Sequence, residues 1–121
     1  MGTRPLFDWA PALRKRLPWQ ALADLPTPVE PLPFAANAWV KRDDLTHAEY
    51  GGNKIRKLEF IIADALARGA KRVVTFGAAG TNHGVATAMM CQRVGLACRG
   101  PQAGERGHVF RAPFGETLRR L

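Results

Sequence analysis

From Lys54 onward the apolar residues keep a helical interval and then give way to a short β-branched run, and this switch limits the possible folds most. Ile55, Leu58, Ile62, Ala65 and Leu66 recur every three or four residues and form one apolar face. Asn53 suits the N-cap of that helix, and Gly69 suits its stop. "KRVVTFG", residues 71–77, reads as a short buried strand. The small and polar loop "AAGTNHG" follows, then a second helix, "VATAMMCQRVG", which ends at Gly95. "LAC" opens another strand. Helix, strand, helix, strand predicts an α/β fold with a parallel sheet and covering helices. Functional groups in such sheets gather at the carboxyl ends of the strands. The helix start at Lys54 and the Thr81–His83 loop are both expected to face such an edge.

The rest of the chain divides into three stretches. Residues 1–24, with "WAPALRKRLPWQALADL", alternate apolar and basic positions broken by Pro11 and Pro18, and predict a short helical N-terminal segment. Residues 25–98 hold the organised α/β part. It opens with "LPTPVEPLPF", whose four prolines predict an extended path outside any central strand, and "AWVKRDDL" then reads as a strand with a charged end. Residues 99–121, "RGPQAGERGHVFRAPFGETLRRL", show neither strand alternation nor a full helical stripe. They are expected to be a disordered or frame-shifted tail.

At 121 residues the chain has the length of one domain. Its net charge of +8 raises the question of an anionic partner. Yet the basic residues are scattered from Arg4 to Arg120, and no stacking aromatics are interleaved with them, which argues against nucleic acid. Cys91 and Cys98 stand seven apart without a CxxC pattern or neighbouring histidines, so they read as free buried thiols rather than metal ligands. No metal is expected. Arg4, Asp8 and Pro11 interrupt any leader-like apolar stretch, and no run reaches the length of a membrane span. A soluble protein in a reducing cytoplasm is expected.

Lys54 is the most informative single residue. A lysine in the first turn of a helix is opposed by the helix dipole, and Arg56 and Lys57 add further positive potential. These effects favour the neutral amine, the form that condenses with a carbonyl. Local chemistry alone leaves two readings, a solvated surface lysine or an imine-forming one. Gly51 and Gly52 permit either a simple turn or close approach to a flat ligand. "GAAGTNHG", residues 77–84, matches neither a P-loop nor GxGxxG. It presents Thr81, Asn82 and His83 at a strand-to-helix turn, either as caps or as groups for a ring hydroxyl and a substrate carboxylate. Asp43 and Asp44 are adjacent, so on a strand they would point to opposite faces; salt links to Lys41 or Arg42 are expected instead.

Taken together, "VKRDDLTHAEYGGNKIRKLEF" and "TFGAAGTNHGVATA" resemble the opening of the fold-type-II pyridoxal-phosphate enzymes related to D-cysteine desulfhydrase and 1-aminocyclopropane-1-carboxylate deaminase. "LPTPVEPLP" is similar to the same opening, and the resemblance covers roughly residues 25–98. It implies a tryptophan-synthase-β-like fold and a lyase or deaminase acting on a small amino acid. Lys54 stands where the family's lysine is joined covalently to pyridoxal 5'-phosphate. Asn53 and Asn82 are implied at the cofactor, Asn82 beside its ring hydroxyl. Thr81 takes the place of a serine near the substrate, and Thr81, Asn82 and His83 are implied at the substrate. The Asn-His pair matches the desulfhydrase side, on which β-elimination gives pyruvate, ammonia and sulfide. Full-length relatives are implied to be homodimers.

Members of this family are roughly three times longer and carry a glycine- and serine- or threonine-rich phosphate cup further along the chain. The sequence is therefore expected to be an N-terminal fragment or degenerate product with weak cofactor binding and little turnover. The alternative is a non-catalytic basic binding or interaction module that keeps an inherited motif.

Overall fold

The computed structural model describes residues 4–78, 80–102 and 105–108. The chain divides into two units, Met1–Asp64 and Ala65–Leu121. The first begins with a short helix, α1 (Pro5–Trp9), and a 3-10 turn over Pro11–Lys15. Both start on a proline at the first helical position, where the missing N–H has no intrahelical partner to lose. Phe7 is buried against Trp19 and Phe60, with ring centroids 5.6 and 5.9 Å away.

Strands β1 (Val29–Pro31) and β2 (Trp39–Lys41) pair antiparallel, Val29 opposite Lys41 and Pro31 opposite Trp39. The proline-rich path thus enters a two-stranded ribbon, where a residue without an N–H can sit on an outer edge. Helix α2 (Lys54–Ala67) buries Ile55, Leu58 and Ile62 almost completely. Each such side chain contributes about 1.5–3 kcal/mol of apolar burial. The expected stripe is shorter at its far end, where Leu66 is 37% exposed.

In the second unit, β3 (Arg72–Val74), α3 (Asn82–Arg93) and β4 (Ala97–Gln102) form the expected strand–helix–strand sequence. β3 and β4 are parallel, with Val73 opposite Cys98, and α3 packs on β4. Ala86, Met89, Met90 and Leu96 supply the core. β3 is not the buried strand its composition suggests: Val74 is 54% exposed, and Phe76 just beyond the strand is 73% exposed. The strand nature of β4 also persists beyond Arg99, and β4 pairs antiparallel with β5 (Glu105–His108). Ladder hydrogen bonds there override the missing alternation. The remainder of the expected tail, residues 109–121, lies outside the described residues.

The two glycine stops are built alike. Gly69 and Gly95 have φ of +70° and +74°. The Gly69 N–H donates to the Leu66 carbonyl and the Ala70 N–H to that of Ala65, each at 2.9 Å; Gly95 and Leu96 repeat the pattern onto Gln92 and Cys91. Both are Schellman closures, which need the left-handed conformation that glycine adopts without a Cβ penalty.

Candidate active site

The segment between β2 and α2 is folded back on itself by two buried polar side chains. The Thr46 hydroxyl, fully buried, accepts the Gly52 N–H at 2.9 Å and lies 2.8 and 2.9 Å from the Gly52 and Asp43 carbonyls, to one of which it donates. His47 Nδ1 accepts the Glu49 N–H at 3.1 Å and lies 3.4 Å from that of Tyr50. Gly51 passes so close to the chain that a Cβ there would stand 1.7 Å from the Asp44 carbonyl oxygen. These contacts fix the two glycines, and two residues later α2 begins at Lys54. Thr46 and His47 escape a reading by motif; the available signal is a hydroxyl and an imidazole immediately before a glycine loop, both able to satisfy turn amides.

Asp43 and Asp44 lie on a 3-10 turn, Asp43–Thr46, rather than on a strand. Arg42 grips Asp44 through Nε and Nη2 at 3.0 and 2.8 Å and reaches Glu30 at 2.8 Å. The Arg42 hydrogen bonds hold the Asp44 carboxyl below the usual carboxylate range. The turn swings Asp43 away from Lys41 and Arg42, and it pairs with Arg56 at 2.6 Å instead. Arg56 also donates to Thr27 Oγ1 at 2.8 Å. Asp43 therefore offsets the positive potential expected from Arg56 at the start of α2.

Lys54 itself is half-buried, and its amine makes no hydrogen bond or ion pair among the described residues. Asn53, just before it, is exposed. The nearby cations differ: Lys41 donates to the Thr27 carbonyl, and Arg42 and Arg56 are held by carboxylates.

The second unit carries the other expected residues. The loop that leaves β3 at its carboxyl end turns back where Thr81 N–H donates to the Ala78 carbonyl at 3.1 Å. A Cβ on Gly77 would stand 2.7–2.9 Å from the Thr81 side chain. Thr81 is the N-cap of α3 by backbone (φ −61°, ψ 122°), yet its hydroxyl makes no capping hydrogen bond. Asn82 is exposed and His83 half-buried in the first turn. Thr87 Oγ1 donates to the His83 carbonyl at 2.7 Å and steadies that turn. The structure thus brings Thr81, Asn82 and His83 together on one turn, and Asn53 and Lys54 together on another.

A parallel strand–helix–strand unit carries hydroxyl, amide and imidazole groups on one turn, and paired glycines precede a lysine that has no partner among the described residues. The chain belongs to the pyridoxal-phosphate dependent enzymes, whose family profile matches residues 21–100. Within that family it is similar to a Pyrococcus abyssi protein provisionally named 1-aminocyclopropane-1-carboxylate deaminase, at 46% identity over 90 residues. It is 44% identical over 88 residues to the D-cysteine desulfhydrase of Salmonella paratyphi B. These matches cover 70% and 69% of this chain and 27% of each relative. The crystal structure of an ACC deaminase homologue superposes with a TM-score of 0.70 at 38% identity, covering 81% of this chain and 31% of the other. The chain thus spans about a quarter of the length of the curated relatives it matches.

The family's cofactor is pyridoxal phosphate. The residues present fit part of it. A half-buried primary amine without a partner among the described residues suits covalent attachment to an aldehyde, and a cap hydroxyl left out of capping suits a ligand. Among the described residues no helix is long and apolar enough to cross a membrane.

Proposed function

We propose that the protein to which these residues belong is a pyridoxal-phosphate lyase or deaminase of small amino acids, with Lys54 as the residue that holds the cofactor. The observation that carries this reading is the half-buried Lys54 amine, which has no hydrogen-bond or ion-pair partner among the described residues while Arg42 and Arg56 are engaged by carboxylates. A primary amine not held by a carboxylate is free to reach a carbonyl and condense with it.

Bound pyridoxal phosphate supplies a pyridinium system that takes up the electron pair left when a proton departs from a substrate carbon. Lys54 Nζ would hold the cofactor and would move the proton at the substrate carbon. Asn82 would serve the ring hydroxyl, with Asn53 beside the lysine. Thr81 and His83 would receive the substrate carboxylate, the Thr81 hydroxyl being left out of capping. The substrate is D-cysteine or 1-aminocyclopropane-1-carboxylate, by likeness to the desulfhydrase and deaminase relatives. Most of each relative's length lies outside the matched segment, so the 121-residue chain by itself is expected to bind cofactor weakly and turn over little.

The test is incubation with excess pyridoxal phosphate, borohydride reduction and peptide mapping. The pyridoxyl group is expected on Lys54, and Lys54→Arg is expected to abolish it while Lys57→Arg does not. A label spread evenly over the lysines would refute the assignment.

A further inference from the structure

Cys91 and Cys98 stand apart from the residues assigned above. Cys91 is fully buried on α3, and Cys98 is half-buried on β4. Between them the Gly95 turn reverses the chain. The Cys91 carbonyl accepts the Leu96 N–H at 2.9 Å and the Val94 N–H at 3.2 Å, which pins the end of the helix to the beginning of the strand.

Strand side chains alternate, so Leu96, Cys98 and Gly100 share one face. Leu96 and Gly100 are buried, whereas Ala97 and Arg99 are exposed. The shared face is therefore the one that α3 covers. The two thiols lie at that interface, Cys91 from α3 and Cys98 from β4, near enough to influence each other's ionisation. Interaction with the Cys91 thiol holds Cys98 below the ordinary thiol value. Interaction with Cys98, with burial, pushes Cys91 upward. Among the described residues no group of three His, Cys, Asp or Glu side chains surrounds a metal position, so a metal does not account for the pair.

We infer that Cys91 and Cys98 are a peroxide-oxidisable dithiol that closes into an intramolecular disulfide between α3 and β4. Cys98 reacts first, being the more accessible and the more readily ionised. Its thiolate sulfur attacks one oxygen of hydrogen peroxide, the O–O bond breaks, and the departing hydroxide is protonated to water. This leaves a sulfenic acid on Cys98. The Cys91 sulfur then attacks that of Cys98, losing its proton as hydroxide leaves, and a second water forms. The two thiols are oxidised by two electrons in total, and the peroxide is reduced to two waters. The bond ties down the last turn of α3, at the opposite end from the turn that bears Thr81, Asn82 and His83.

The test is to expose the full chain to a small excess of hydrogen peroxide, denature it, alkylate it and map the peptides. Both free thiols are expected to disappear, with the Cys91 and Cys98 peptides joined within one chain and released by dithiothreitol. In Cys91→Ser, Cys98 is expected to stop at the sulfenic acid and be trapped by dimedone. In Cys98→Ser, Cys91 is expected to keep its thiol under the same exposure. Disulfide-linked dimers, or two thiols that survive exposure sufficient to oxidise free cysteine, would overturn the proposal. The wild-type map decides the matter even if a serine variant fails to fold.

Discussion

Arg4 Nη2 lies 2.7 Å from Glu59 Oε1, and the two side chains are only 5% and 1% exposed. The same carboxylate oxygen accepts the N–H groups of Leu22 and Ala23 at 2.9 Å, and Arg4 also donates to the Ala23 carbonyl. One oxygen on the buried face of α2 thus fastens the N-terminal segment. Removing one partner of a buried pair strands the other, which costs about 3–5 kcal/mol. Glu59→Ala is expected to lower the unfolding free energy measured in urea by that amount. Replacing both residues with methionine should recover a large share, and a double variant as weak as the single one would show that pairing is not the cause.

Thr46 is expected to behave as the clasp of the loop before Lys54. Thr46→Val keeps the shape but strands the Gly52 N–H in a buried site, at about 1–3 kcal/mol. Thr46→Ser restores the oxygen and should recover most of the loss. Equal destabilisation by valine and serine would point to packing of the methyl group instead.

Gly51 is expected to tolerate no side chain. Its Cβ would overlap the Asp44 carbonyl, part of the backbone, so Gly51→Ala should cost about 3 kcal/mol or more. Gly69→Ala meets no atom within 4 Å and should cost roughly 1–2 kcal/mol for its left-handed φ alone. Chemical denaturation of the two variants ranks them, and the reverse order would contradict the steric account.

Thr81 offers a separation of stability from ligand binding. An N-cap threonine usually contributes about 1 kcal/mol through its hydroxyl. Here that hydroxyl makes no capping bond, so Thr81→Ala is expected to change stability by less than about 0.5 kcal/mol. A thermal-melt shift typical of a lost cap would show that the hydroxyl caps after all.

Alkylation of Cys98 should report its lowered ionisation. The thiolate is the reactive form and persists down to the depressed value, so the iodoacetamide rate should stay high below about pH 8.5, where free cysteine slows. The rate should then fall as pH drops further through the group's own midpoint. In Cys91→Ala, with no neighbouring group left to donate, the profile should move upward. A profile that does not move in that variant would remove the Cys91 thiol as the cause.

The helix over Ile55, Leu58 and Ile62, both glycine stops and the parallel pairing of β3 with β4 were legible because each rests on local periodicity or local backbone preference. Family membership was legible for a similar reason. "GGNKIRKLEF" and "GTNHG" are contiguous, and their order along the chain carries the information. The exposed face of β3 was not legible, since Val73 and Val74 look the same whether or not a layer covers them. Nor were the strand pairing past Arg99 and the partner of Asp43. Both depend on segments brought in from elsewhere in the chain.

Spacing, and the conformations that glycine and proline allow, set an α/β fold, the start of α2, the stops of α2 and α3, and a lysine behind paired glycines; α3 itself begins at Asn82, three residues before the apolar run that announces it. The three-dimensional structure was needed to show that Asp43 takes Arg56, that Thr46 and His47 close the loop before Lys54, and that two cysteines seven apart share the interface of α3 and β4. Hydrogen bonds and ion pairs between distant residues depend on distances in space, and spacing along the chain does not fix those distances.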